Sequence, residues 1–178
     1  MNIIAIDARS DLFSVSNIYP KHLLKKVEKI DFKSLDLQQE EMQSDWPSRY
    51  RVIVDSVPVF LELDLFIKSK LEYIANITDT ELMACDTGFW LDTEGFVTNA
   101  HLDNHRVYMA MQVYLTEHSV HMGTEFYNSD NSIRYKAEYA KNSGYLMVNN
   151  GNQLHSMLTP VPPKHYRLSS YTWFFKKS

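Results

Sequence analysis

Beyond residue 80 the chain breaks into short runs of β-branched and aromatic residues separated by turn-forming clusters, and this pattern restricts the fold more than any other feature of the sequence. Strands are predicted over Glu81 to Leu91, Val107 to Leu115, Gly123 to Tyr127, Tyr145 to Asn149 and Arg167 to Phe175. Between them, Asp92 to Gly95, Asn128 to Ser132, Asn149 to Asn152 and Pro160 to Pro163 supply residues that close loops by Asx bonding, positive φ or a fixed φ. Strands so spaced predict a sandwich or a jelly roll. A low glycine count of 5 and an aromatic content of 13% agree with a compact, strand-rich fold.

The part before residue 80 reads differently. Apolar residues recur at threes and fours through Lys21 to Ile30 and through Val59 to Ala75, where Phe60, Leu63, Phe66, Ile67, Leu71 and Ile74 make one stripe, so two helices are expected. The polar, acidic stretch Asp31 to Ser48, with Glu40, Glu41 and Asp45 before Trp46-Pro47, fits a loop and a short helix equally well. Arg49 to Pro58 reads as a strand or an extended connector. A chain of 178 residues has room for one ordinary domain, and the expectation is a single unit spanning 1–178.

Charge and composition exclude several functions. Lysine and arginine number 18 against 22 acidic residues, for a net charge of −4, which leaves no basic surplus to hold a phosphate backbone. No apolar run approaches the roughly 18 residues that cross a bilayer. The single cysteine, Cys85, excludes an intrachain disulfide and a cysteine-based zinc cluster; with a poor signal-peptide pattern over Met1 to Arg9, it leads to the expectation of a reducing, cytoplasmic setting. Neither nucleic acid nor membrane is therefore expected as a partner, and whether the substrate is a small molecule or a peptide is left to the residues that carry chemistry.

Histidine is the residue type that carries chemistry. In His101-Leu102-Asp103 the imidazole and the carboxylate are two residues apart, so on an extended strand they leave the same face and can grip one ion. A third ligand must come from a distant strand, and His155, ahead of the last predicted strand, is the residue placed to supply it. Two histidines and one carboxylate form the facial triad of non-haem Fe(II) oxygenases, which leaves coordination positions open for co-substrate and O2. Arg167 and Ser169 lie two apart on the last strand and share a face. A planar guanidinium stays charged when buried and forks onto a carboxylate, so this pair suits the far end of a dicarboxylate.

Taken in order, these residues carry a resemblance. His101-Leu-Asp103-Asn104, Arg106, Val113-Tyr-Leu115, Gly123-Thr-Glu-Phe126, Gly144-Tyr-Leu-Met-Val148, His155 with Pro160, and Arg167-Leu-Ser169 with Trp173-Phe174 follow one another as in the Fe(II)/2-oxoglutarate-dependent dioxygenases. The segment from about Thr87 to Phe175 is most similar to their prolyl 4-hydroxylase-like branch. The resemblance implies a mainly β fold with supporting α-helices, a double-stranded β-helix (jelly roll, cupin-like), in which 1–79 supports a catalytic core at 80–178. It further implies Fe(II) on His101, Asp103 and His155, 2-oxoglutarate as co-substrate with its distal carboxylate on Arg167, and Tyr114 bonding that carboxylate too. The implied reaction hydroxylates a C–H bond, prolyl-hydroxylase-like, on a peptide or amino acid, and decarboxylates 2-oxoglutarate to succinate with O2.

Alternation within Val107 to Leu115 assigns Tyr108, Ala110, Gln112 and Tyr114 to the barrel interior, and Val107, Met109, Met111, Val113 and Leu115 to the helix side. Phe89, Trp90, Phe96 and Tyr127 are possible pocket walls, and both Asp31 to Asp45 and Asn128 to Ser132 are possible lids. The chain departs from the family where Met122 precedes a single Gly123 instead of paired glycines. Lys164, in a proline-rich turn, is a less suitable anchor than Arg167. His105, His118, His121 and Glu125 are given no role. Two other readings remain open: a cupin-like metalloenzyme that uses no 2-oxoglutarate, and a non-catalytic β-sandwich binding module.

Overall fold

The computed structural model of the chain describes residues 1–38, 48–103 and 106–176. Its strands, in chain order, are β1 (Asn2–Ala5), β2 (Leu12–Ser16), β3 (Leu37–Gln38), β4 (Arg49–Val52), β5 (Leu82–Asp92), β6 (Thr98–His101), β7 (Met109–Tyr114), β8 (Glu125–Tyr127), β9 (Ile133–Lys136), β10 (Ser143–Val148), β11 (His155–Met157) and β12 (Arg167–Lys176). They form an eight-stranded sheet in the order β1-β2-β10-β7-β12-β5-β4-β3 and a four-stranded sheet in the order β6-β11-β8-β9. Every pairing is antiparallel. The two sheets face each other as a double-stranded β-helix, with the helices behind the larger one.

The helices are α1 (Lys21–Val27), α2 (Pro58–Lys68) and α3 (Leu71–Thr78). Proline at the first position of α2 loses no bond that the helix needs, and Lys25 and Lys26 in the last turn of α1 face the negative end of its dipole. The stripe expected to make one helix over Val59 to Ala75 instead breaks at Ser69 and Lys70. There the Ser69 hydroxyl donates to the carbonyl of Phe66 at 2.6 Å and draws the backbone out of the helical ladder. Val59, Phe60, Leu63, Ile67 and Ile74 still face one way, and they bury against Phe89 and Leu91 of β5 and Met109, Met111 and Val113 of β7.

A second apolar cluster fills the space between the sheets: Leu12, Ala110, Tyr114, Phe126, Tyr145 and Met147 come from strands of both. Alternation along β7 therefore divides as expected for 109–115. Val107 and Tyr108 take the opposite sides from those expected, Val107 against the inter-sheet cluster and Tyr108 against the helix-side cluster, because regular pairing begins only at Met109. The strands expected from the sequence are all present with shifted ends, and Arg49–Val52 is a strand joined to β5. The N-terminal half thus contributes strands to the same eight-stranded sheet as the C-terminal half, and the Tyr19 hydroxyl donates to Ser170 Oγ on β12 at 2.9 Å.

Candidate metal centre

Antiparallel pairing of β6 with β11 sets His155 directly opposite His101, and the two imidazole rings lie with centroids 4.4 Å apart. Each ring is held by a backbone carbonyl at Nδ1, His101 by Asn99 and His155 by Gln153, both at 2.8 Å. A carbonyl only accepts, so each Nδ1 carries the hydrogen and each Nε2 keeps its lone pair. Asp103 presents Oδ1 to both, 3.6 Å from His101 Nε2 and 3.5 Å from His155 Nε2. These ligand atoms lie within 4.8 Å of one another. The other carboxylate oxygen, Oδ2, accepts the phenolic hydrogen of Tyr171.

The surroundings keep Asp103 ionised. Burial works to raise its pKa, but the neighbouring His101 and His155 and the Tyr171 hydroxyl hold it below the ordinary carboxylate value. Burial lowers the pKa of His155, which favours the neutral imidazole that a metal needs. His101, less buried, is also pushed down by desolvation, yet the Asp103 carboxylate beside it and the Asn99 carbonyl on Nδ1 leave it raised overall. Two neutral-capable nitrogens and one carboxylate oxygen, aimed at one point on a half-open wall, are a donor set suited to a first-row divalent metal.

The cavity beside this centre has a volume of about 240 Å³. Its wall is built in rungs across adjacent strands, because residues directly opposite each other in an antiparallel pair share a face. In the first rung, Arg49 on β4 and Arg167 on β12 both pair in register with Asp92 on β5. Arg49 forks onto both carboxylate oxygens, Nε to Oδ1 at 2.7 Å and Nη2 to Oδ2 at 3.1 Å, while Arg167 Nε donates to Oδ2 at 2.8 Å. Arg167 is 1% exposed and Asp92 0%. Burial alone would raise the pKa of Asp92; the two guanidinium groups outweigh it and hold the acid ionised. Arg167 Nη1 donates to the Met122 carbonyl at 3.0 Å, and its Nη2 has no hydrogen-bond partner among the described residues.

A further rung runs Gly88, Tyr171, Gln112, Tyr145 across β5, β12, β7 and β10. Trp90 and Trp173 complete the aromatic wall. A Cβ on Gly88 would stand 2.9 Å from the Trp173 ring, so glycine is what lets the indole lie against the β5 backbone.

His101, Asp103, His155 and Arg167 thus line one cavity. Ser169 and Tyr114, which share the inward face, do not reach it. The Tyr114 hydroxyl accepts from the Thr124 backbone at 2.9 Å and donates to Thr124 Oγ1 at 3.2 Å. Thr124 Oγ1 in turn donates to Gln112 Oε1 at 3.2 Å, and Gln112 Nε2 donates to Ser169 Oγ at 3.0 Å. Thr124 and Gln112, with Tyr145, occupy the wall in front of them. Arg49, Asp92, Tyr145 and Tyr171 had not been singled out from the sequence; Tyr171 was findable by parity from Arg167, whereas Arg49 and Asp92 depend on a register between remote strands.

Of the aromatics expected as walls, Trp90 lines the cavity, Phe89 packs toward the helices, and Phe96 lies beneath the arginines with its centroid 4.3 Å from Arg49 Cζ. Tyr127 does not line the cavity but bonds Glu125 and the lining residue Ser156 from behind, and Glu125 pairs with Lys136. His118 meets His165, and His121 accepts from the Gly123 backbone. Asn128 and Ser132 bond each other in the β8–β9 turn, and Lys164 is exposed. His105, Asn104 and residues 39–47 of the acidic stretch, Glu40, Glu41 and Asp45 included, lie outside the described residues.

No protein-family model and no curated protein matches the chain. Solved structures do. A prolyl-4-hydroxylase of Pseudomonas putida superimposes with a TM-score of 0.71 at 15% identity, covering 98% of both chains. HygX of Streptomyces hygroscopicus, solved with nickel and 2-oxoglutarate bound, gives 0.69 at 11% identity, covering 95% of this chain and 84% of that one. A Trichoplax adhaerens prolyl hydroxylase in complex with a peptide fragment of the hypoxia inducible factor oxygen degradation domain gives 0.71 at 11% identity, covering 94% and 84%. The fold is therefore that of these prolyl hydroxylases and 2-oxoglutarate oxygenases, the one implied by the resemblance read from the sequence.

Proposed function

We propose that this chain is an Fe(II)- and 2-oxoglutarate-dependent dioxygenase that hydroxylates a C–H bond of a peptide or amino acid, in the manner of a prolyl hydroxylase, while 2-oxoglutarate is decarboxylated to succinate. One observation carries the reading: two histidines, each with Nδ1 bonded to a backbone carbonyl and Nε2 turned to one carboxylate, converge with that carboxylate in the same cavity as a buried arginine. The donor set fits Fe(II), which when bound would supply the redox chemistry that activates O2. His101, Asp103 and His155 would hold it.

The chain's own part is to bind, orient and exclude. Arg167 offers its Nη2 hydrogens to the distal carboxylate of 2-oxoglutarate, and Gln112, Thr124 and Tyr145 offer polar atoms along the wall. Tyr171 holds the Asp103 carboxylate in a fixed rotation, so one oxygen stays aimed at the histidines. Trp90 and Trp173 keep water from the reacting carbon. Residues 1–79 support the catalytic core at 80–178 in this reading, and a cytoplasmic, reducing setting suits a single buried cysteine. The peptide or amino-acid substrate is supported by two of the similar structures being prolyl hydroxylases, one with a peptide bound.

The test is an anaerobic titration of the apoprotein with Fe(II) and 2-oxoglutarate, followed by the visible charge-transfer band of the chelate. The wild type should develop the band, and Asp103→Ala and Arg167→Ala should each weaken it. Bound iron without a band would point to a cupin-like enzyme that uses no 2-oxoglutarate; no iron binding would leave a binding module.

A further inference from the structure

The loop between β7 and β8 meets the loop between β11 and β12 beside Arg167, and a pair of imidazoles joins them. His118 Nε2 lies 3.2 Å from His165 Nε2, with ring centroids 4.0 Å apart and the planes tilted by 58°. His118 Nδ1 accepts the backbone N–H of Val120 at 2.9 Å. An accepting nitrogen carries no hydrogen, so the hydrogen of a neutral His118 sits on Nε2 and is donated to His165, whose Nε2 is the bare nitrogen. The two bonds coexist only while both rings are neutral. One added proton sets a donor against a donor, either at Val120 or between the rings, and a second breaks both bonds and opposes two like charges. The same two loops hold Arg167. Met122, four residues past His118, gives its carbonyl to Arg167 Nη1 at 3.0 Å, and Thr116, two residues before His118, accepts the Leu168 N–H on Oγ1 at 3.0 Å. His165 stands two residues ahead of Arg167 in the chain. His118 is half-buried and His165 exposed, so protons reach the pair from solvent while the arginine beside it is sealed.

We propose that His118 and His165 are positioning residues: neutral, they clasp the two loops and hold the Arg167 fork in place for the distal carboxylate of a dicarboxylate co-substrate, and proton uptake opens the clasp. The inference rests on the 2-oxoglutarate reading and deepens it by making affinity for the co-substrate depend on acidity through a pair of side chains outside the cavity. The charged and titratable neighbours are known. Glu117 and His121 share the first loop, with Lys141 near Glu117, and Lys164 and Tyr166 flank His165. Glu94 accepts the Lys164 N–H at 3.4 Å, and the Tyr139 hydroxyl meets Thr116 Oγ1 at 3.1 Å. Carboxylates, ammonium groups and phenols ordinarily keep one charge state between about pH 5.5 and 8, so imidazoles are the groups that change in that window. His121, whose Nδ1 accepts the Gly123 N–H at 3.3 Å, belongs to the same loop without joining the clasp, and so serves as the control.

The experiment titrates the anaerobic protein at saturating Fe(II) with two oxo acids, read by the visible band and by calorimetry at several pH values between about 8 and 5.5. The probes are 2-oxoglutarate and 2-oxovalerate, which chelates alike but lacks the distal carboxylate. Protonation at the metal centre weakens both alike, so the ratio of the two affinities reports on the distal end alone. In the wild type that ratio should fall about fivefold or more toward the acid limit, and by linkage 2-oxoglutarate should release more protons on binding than 2-oxovalerate does. His118→Gln combined with His165→Gln, which no proton can charge, should give a ratio that does not change with pH, whereas His121→Gln should follow the wild type. A wild-type ratio independent of pH overturns the inference, as does a double variant that keeps the wild-type slope or a His121→Gln variant that loses it. Should the double variant fail to fold by circular dichroism, His165→Ala decides by the same slope. A wild type that binds iron but not 2-oxoglutarate is a different failure, that of the underlying reading, and is seen at the first pH measured.

Discussion

Tyr171 donates its phenolic hydrogen to Oδ2 of Asp103, the oxygen turned away from both histidines, so the carboxylate that would bind metal is braced from behind by a residue of the opposite sheet. The same strand that carries Arg167 thus also sets the aim of the metal centre.

Removing that brace should cost metal affinity and little stability. Tyr171→Phe keeps the ring in place against Trp173 and deletes only the bond to Asp103. A loss of about 10- to 100-fold in Fe(II) or Mn(II) affinity is expected, with the melting temperature nearly unchanged. Metal titration at fixed pH measures it; an unaltered affinity would show that the phenol does not orient the carboxylate.

Asp92 makes stability depend on acid. Its folded-state pKa is lowered, since Arg49 and Arg167 outweigh the effect of burial, so its contribution is fully present above the unfolded value of about 4 and fades as pH falls through the lower folded value. Thermal melts taken from neutral pH into acid should fall less steeply for Asp92→Asn than for wild type. The variant should also be less stable at neutral pH, where two guanidinium groups lose their shared counter-charge.

Gly88→Ala probes the indole wall. The added methyl would meet the Trp173 ring at 2.9 Å, so the ring must move and the cavity change shape. A destabilisation of about 1–3 kcal/mol is expected, with a shift in tryptophan emission. Metal affinity should hold, because neither residue touches the ligand set.

Phe60→Ala separates scaffold from site. Phe60 is fully buried and its ring lies 4.6 Å from that of Phe89, on the helix side of the large sheet. A loss of about 3–5 kcal/mol in unfolding free energy is expected from chemical denaturation, while the folded fraction still binds metal at full stoichiometry.

The sequence made the long central strands readable, since β5, β7, β10 and β12 carry enough alternating residues to declare both strand and face. Short strands carry too few. Thr98–His101 and Ile133–Lys136 have four residues each and His155–Met157 three, and none was expected as a strand, whereas Glu125–Tyr127 was expected within the longer run Gly123 to Tyr127; the β1–β2 hairpin had no signal that distinguished it from a mere N-terminal stretch. The histidines and Asp103 could be proposed as ligands because a two-residue spacing already decides a shared face. Parity alone does not give depth, however. Tyr114 and Ser169 have the inward direction that the sequence predicted, but Thr124 and Gln112 stand between them and the cavity. Asp92 was read only as part of a turn, and its two arginines converge on it through the registers of β4 and β12, which no local pattern encodes.

Strand β12 pairs with β5 on one side and β7 on the other, with Arg167, Tyr171 and Trp173 at odd positions and Leu168, Ser170, Thr172 and Phe174 at even ones. Odd positions turn to the cavity side, Ser169 among them though it stands behind Gln112, and even positions turn to the helices. Substitution within this stretch can be judged one residue at a time, but a single insertion or deletion would exchange the two sets at once, sending the arginine and the tyrosine into the apolar layer. The chain's tolerance for changes of length is therefore set here by arithmetic, and it is nil between Arg167 and Phe174.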